Sequence, residues 1–217
     1  MAPFTGLGHG LARAGHEVTL VTHERFELLA ARAGIGFHAL PVDPRAELES
    51  SRGQALHRST TGVGKLVRVV AMARSLAGRM ADDLVTAARA SDALLLSGSV
   101  APLGHAVAEG LRLPSLGLNL QPLAATREFA PPMLGVGSWG PFGNRVVGLG
   151  LNLAVEQVFG AALPPVRARL GLPPLGTAAA LRSRERQGWP VLHGFSPRMV
   201  ARPRKWRSGL KKPATGN

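Results

Sequence analysis

The chain has 217 residues, with 26 Lys and Arg against 13 Asp and Glu, a formal net charge of +13, a length that suits one good-sized domain or a small domain with an appendage. Cysteine is absent, which excludes disulfide frameworks, thiolate zinc sites and cysteine nucleophiles, and a hydrophobic content of 45% excludes a disordered chain. The charge is uneven: residues 1–166 hold 14 basic and 12 acidic side chains, residues 167–217 hold 12 basic and one acidic, so a near-neutral body carries a basic end.

Pro3 to His16 reads as a helix, with Phe4, Leu7, Leu11 and Ala14 at helical spacing, Pro3 in the first turn and Gly15 at the stop. Glu17–Thr22 is a short β-branched strand, Glu24–Ala33 a helix and Gly36–Pro41 a second strand. Pro44 to Val63 is irregular and polar, and a helical pattern runs from Gly64 to Arg89 with a break near Gly78. Asp92–Ser97 reads as a buried strand, Ala101–Leu111 as a helix and Pro114–Leu120 as another strand. Gln121 to Gly143 is rich in Pro and Gly and reads as a long loop. Asn144–Leu170 is largely helical, broken or kinked at Pro164-Pro165. Gly188–Phe195 is the last strand, and Ser196 to Asn217 a basic linker or tail.

Alternating helix and strand predicts an α/β fold with a mainly parallel sheet and helices on both faces. Such a domain ordinarily opens on a central strand, yet this sequence opens on a helix, so the first strand is expected to be missing. A sheet without it would expose an edge and invite aggregation. No charged segment followed by an apolar run begins the chain, and the longest apolar stretch, Val146 to Leu163, is interrupted by Asn152, Glu156 and Gln157. The expectation is a soluble, cytoplasmic protein.

At Pro3–Phe26 (PFTGLGHGLARAGHEVTLVTHERF) the sequence resembles the N-terminal, acceptor-side domain of GT-B glycosyltransferases. The similarity is to the family-28-like domain of bacterial natural-product and sterol glucosyltransferases. Pro3, Leu7, Gly8, Leu11, Gly15, His16, Val18, Thr22, His23 and Phe26 carry it. Gly117–Pro131 is similar to that family's acceptor-side loop, and Trp139–Arg145 to its Gly-Asn-Arg turn. PPLG at 173–176 and GWPVLHGFSP at 188–197 are similar to the end of the domain. The family pattern places a strand and a Gly-Asp-Val turn before Ala2-Pro3. Those elements are not in this sequence, and neither is the donor-binding C-terminal domain.

The resemblance implies residues 1–197 as an acceptor-binding domain incomplete at its start, 198–217 as a basic interdomain linker or tail, and a chain that is a fragment, inactive alone. It implies inverting transfer of a hexose from a nucleotide sugar to a hydroxyl of a lipid, sterol or natural product. The family's general base is expected upstream of Met1, so no catalytic residue is assigned within the chain. No cofactor is implied beyond the nucleotide sugar as co-substrate. The implied partners are a hydrophobic small-molecule acceptor and a donor domain in cis or in trans, with peripheral membrane contact left open. A second reading is a non-catalytic acceptor-binding module, or the partner of a separately encoded donor domain.

Open α/β sheets bind ligands beyond the C-terminal ends of their strands, which nominates His23, the Ser97–Val100 turn and the Gln121–Pro131 loop. The candidate substrate-binding residues are His23, Ser97, Gln121, Thr126, Arg127 and Phe129. For Arg127 and its neighbour Glu128, anchoring of the loop is an equal alternative, and for His23 a supporting role. Phe129, Pro131, Pro132, Met133 and Leu134 offer an apolar wall, or simply a contact with a neighbouring helix. His9 and His16 read as structural. The seven histidines show no His-Glu-x-x-His spacing, so no metal is assigned. Gly6-Leu7-Gly8-His9-Gly10 lies inside a helix and not at a strand-to-helix turn, so it is read as helix packing, not a dinucleotide loop. The arginines at 182, 184 and 186 read as solvated helix surface. Those between 202 and 207 read as linker, because a nucleic-acid site would need interleaved aromatics.

Overall fold

The computed structural model describes residues 1–41, 77–135 and 137–196, together with 198, 200 and 203, with the Met133 side chain left aside. The expected irregular segment Pro44–Val63, the first part of the helix from Gly64, and almost all of the 198–217 tail lie outside the described residues. Two compact units divide the chain, Met1–Asp92 and Ala93–Asn217.

In the first unit, α1 (Ala2–Arg13) leads to β1 (Thr19–His23), a 3-10 turn (Glu24–Phe26), α2 (Glu27–Arg32) and β2 (Gly36–Leu40). The described part of α3 covers 77–89. Pro3 sits in the first turn of α1, where a missing N–H costs nothing. β1 and β2 pair in parallel, from Thr19 opposite Gly36 to His23 opposite Leu40. Leu40 is the centre of a small core closed by Val21 and by Met80 and Leu84 of α3. The glycine run of α1 is helical, and Gly8 is buried where an added Cβ would come within 2.9 Å of Ile35. Small-residue packing therefore accounts for Gly8, while a Cβ at Gly6 or Gly10 would meet open space.

In the second unit, β3 (Leu94–Ser97), α4 (Ala101–Leu111), β4 (Ser115–Asn119), α5 (Gly140–Val158), α6 (Leu163–Arg169), α7 (Thr177–Gln187) and β5 (Val191–His193) follow in order. The three strands form a parallel sheet in the order β3-β4-β5. Leu103 and Val107 of α4 and Leu163 and Val166 of α6 are almost wholly buried. Ala106, Leu163 and Ala180 bring α4, α6 and α7 into one cluster. Gly104 lets α4 lie close on the sheet, since a Cβ there would fall 2.6 Å from a methyl of Leu96.

The fold is thus α/β with parallel strands and flanking helices, as expected. Three local expectations need correction. The described strands make two sheets, a pair and a triplet, instead of one. The break after α5 falls at Phe159–Ala162, not at the prolines, and Pro164 and Pro165 open α6. First-turn N–H groups have no intrahelical acceptor, so prolines are tolerated there. α7 occupies a stretch between Leu170 and Gly188 in which the sequence pattern gave no element bounds, only a reading of the arginines at 182, 184 and 186 as helix surface. No single helix among the described residues is long and apolar enough to cross a membrane. α5 and α6 pass that test only as a pair bent by 57°.

Candidate functional site

The C-terminal ends of β3, β4 and β5 gather polar side chains on one edge of the second unit. Ser97 pairs in register with Leu118, and Asn119 with His193. Ser97 Oγ lies 3.0 Å from Ser99 Oγ in the turn that follows β3. Asn119 leans over the same turn, so that a Cβ added to Gly98 would fall on its carboxamide and on Leu123. His193 closes the row, its ring 5.2 Å from that of Phe195. Ser97 was expected here; Asn119 and His193 were not singled out. The signal for both was available, since each ends a strand and the sheet rule applies to every strand end.

Beyond β4 the chain forms the long loop that carries Gln121, Thr126, Arg127 and Phe129. Gln121 and Arg127 are exposed and Phe129 is half-buried. Thr126 is buried, and its hydroxyl accepts the Glu128 N–H at 3.2 Å, a local turn contact. Thr126 thus anchors the loop and does not face solvent. The Arg127 carbonyl accepts a hydrogen bond from Asn144 Nδ2 at 3.2 Å while its side chain stays exposed. Along the expected apolar wall, Pro131 is buried and Pro132 and Leu134 are exposed.

His23 belongs to the first unit, at the end of β1. Its ring is 6.3 Å from that of Phe26, over which the Arg25 guanidinium sits at 5.1 Å. His9 Nδ1 donates to the Ala33 carbonyl at 2.9 Å, a tie between α1 and the end of α2. The His16 ring is exposed beside a backbone bond to Leu11. The His9 tie is a structural contact, as its sequence reading expected. Among the described residues, no three or more His, Asp or Glu side chains converge as a metal site would require.

A second group of charges lies beneath the helices. Arg167 forks onto Glu109 at 2.7 and 3.3 Å and donates through Nε to the Pro173 carbonyl. Arg184, read from the sequence as solvated, is instead buried and ion-paired with buried Glu156. Burial pushes the Glu156 carboxyl up, against the downward pull of Arg184. A cavity of about 10 Å³, room for roughly one water, lies among His105, Glu109, Arg167 and Arg184. Burial first, then Arg184, lowers His105; Glu109 opposes this and Arg167 adds to it. The His105 ring meets Trp189 edge-on at 5.4 Å. Opposite charges balance one another around this cavity, which marks it as part of the helix packing, away from the strand ends.

The polar strand ends and the loop after β4 are the part of the second unit that the sheet rule nominates, and comparison with known proteins gives them a context. No protein-family model matches the chain. The chain is 29% identical over 208 residues to O-mycaminosyltylonolide 6-deoxyallosyltransferase of Streptomyces fradiae, a match covering 94% of this chain and 48% of that enzyme. It is 34% identical over 127 residues to a sterol 3-beta-glucosyltransferase of Candida albicans, covering 58% of this chain and 8% of the other. UDP-sugar-dependent glycosyltransferase 52 of Dictyostelium discoideum matches 94% of the chain at 23% identity, over 12% of its own length.

Among solved structures, the glycosyltransferase SsfS6 of Streptomyces sp. SF2575 aligns with 78% of this chain and 42% of its own, at 23% identity and a TM-score of 0.46. A glycosyltransferase of kitacinnamycin aligns with 82% of this chain and 39% of its own, at 15% identity and a TM-score of 0.45. The homologues of this chain are glycosyltransferases, macrolide and sterol enzymes among them, in keeping with the resemblance read at Pro3–Phe26. The chain spans about half the length of the macrolide enzyme and far less of the other two.

Proposed function

We propose that this chain is the acceptor-side domain of a hexosyltransferase that glycosylates a hydroxyl of a lipid, sterol or natural product in the cytoplasm. The observation that carries the reading is the match along 94% of the chain to a macrolide glycosyltransferase. The polar strand ends and the loop from Gln121 to Pro131 support it as a place for an acceptor. In the reaction an acceptor oxygen attacks the anomeric carbon, its proton passes to a general base, and the nucleoside diphosphate leaves with the bonding pair. In this reading the general base is not assigned to a residue of this chain, and the diphosphate is bound by a donor domain supplied in cis or in trans. The role of the residues described here is then to bind and orient the acceptor. Ser97, Gln121 and Arg127 supply polar contacts, Phe129 an apolar face, and Thr126 fixes the loop.

Titration of the chain with O-mycaminosyltylonolide and with cholesterol tests the reading. Saturable binding of one of them is expected, weakened about tenfold by Phe129→Ala through loss of buried apolar contact. Failure of both to bind, or binding indifferent to Phe129 and Arg127, contradicts it.

A further inference from the structure

The loop that follows β4 runs for some twenty residues with one 3-10 turn, Pro132–Leu134, as its only regular element among the described residues. No strand ladder holds it, so its shape must come from side chains. Asn144, in the second turn of α5, is 1% exposed, an unusual depth for a carboxamide unless each polar atom is matched. Its Nδ2 donates to the Arg127 carbonyl at 3.2 Å and to Ser138 Oγ at 3.1 Å. Its Oδ1 accepts the Trp139 N–H at 2.9 Å. One side chain thus ties together two points of the loop twelve residues apart. A turn further along α5, Gly148 makes room for the same loop, since a Cβ there would sit 2.9 Å from Cα and Cβ of Ala125.

We propose that Asn144 is the positioning residue of the acceptor loop, holding the backbone at Arg127 so that Arg127 and Phe129 meet the acceptor in one arrangement. The proposal rests on the reading of this chain as an acceptor-side domain. Asn144 is enclosed and acts through the loop, so it is not a catalytic residue. Its chemistry is specific to a carboxamide. An aspartate would keep the acceptor for Trp139 but lose both donors, and would set a carboxylate against the Arg127 carbonyl. A leucine would leave all three loop groups without their bonds.

The test combines amide hydrogen exchange of the 217-residue chain with titration by O-mycaminosyltylonolide. Asn144→Asp is expected to speed exchange across 125–131 by about tenfold and to raise the dissociation constant by about tenfold. Exchange in β4 should stay as it was. Ser138→Ala, which removes one of the three ties, should move both readings in the same direction by less. That graded response also carries the test alone if Asn144→Asp does not fold. Unchanged loop exchange, or a loosened loop with unchanged affinity, overturns the proposal. A wild-type chain that binds neither the macrolide nor cholesterol overturns the acceptor reading beneath it, and is told apart because the wild type itself fails.

Discussion

Arg184 of α7 and Glu156 of α5 form an ion pair in which both side chains are buried, 6% and 3% exposed. The pair joins the two helices together with a hydrogen bond from Gln157 Nε2 to Thr177 Oγ1 at 3.0 Å, and the buried face of α7 is Thr177, Ala180 and Arg184. Removing two charges from water costs several kcal/mol, and their attraction recovers it only while both remain. Arg184→Met alone should therefore destabilise the chain by about 3–5 kcal/mol, because Glu156 loses its counter-charge and must stay buried unpaired or take up a proton. Arg184→Met combined with Glu156→Leu should come back close to wild-type stability. Urea unfolding of the two single variants and the double variant measures this, and additive losses would contradict it.

His105 of α4, beside Arg184, makes stability depend on pH. The His105 pKa is lowered from its ordinary value of 6.5, chiefly by burial and by Arg184. The unfolded chain therefore takes up a proton near 6.5 while the folded chain does not. The stability contributed by neutral His105 is present above that point and is lost as pH falls through the lowered value. Groups facing the ring include Glu109, Arg167 and Arg184. His105→Phe, which keeps an aromatic edge for Trp189, should flatten the fall in melting temperature just below pH 6.5. An undiminished fall would place the effect elsewhere.

Arg112 closes α4 in the left-handed region, at φ 56°, a conformation that glycine adopts without a steric penalty and other residues do not. Its side chain is exposed, so little packing is lost on removing it. Arg112→Gly should raise stability by about 0.5–1 kcal/mol, read from thermal unfolding; a loss of that size would contradict the assignment.

Along α5 and the residue before it, Trp139, Phe142, Val146, Leu149 and Leu153 form an exposed apolar stripe at alternating spacings of three and four. Side chains so exposed add little to folding but make a sticky surface. Phe142→Ser with Leu149→Ser should leave unfolding free energy within about 0.5 kcal/mol per site and raise the concentration at which light scattering begins. A large stability loss would show that the stripe is covered.

How far the fold could be read in advance depended on whether periodicity matched burial. α4 was legible from Ala101 to Leu111 because its buried face is apolar throughout, from Leu103 to Val107. α7 was not, because its buried positions include an arginine and its remaining surface is charged, so no apolar period stands out. At the site, strand ends pointed to Ser97 and to the loop from Gln121, since the sheet rule needs only element order. The part played by Asn144 could not be read, because a carboxamide bonded to a carbonyl seventeen residues earlier leaves no mark on local spacing. Thr126 was nominated for contact with a ligand; its burial assigns it to the loop's own turn.

Part of the net charge of +13 is neutralised within the fold. Two of the arginines that contribute to the basic end, Arg167 and Arg184, are spent on carboxylates inside the second unit.

The central claim is that the loop after β4 and the neighbouring strand ends receive an acceptor. Amide hydrogen exchange with and without O-mycaminosyltylonolide, repeated with cholesterol, tests it most directly. Slowed exchange at 97–99 and 119–131, reduced by Phe129→Ala at the same subsaturating ligand concentration, is the predicted result. Binding that protects only the helix face around Arg167 and Arg184, or that protects no part of 97–131, would contradict it.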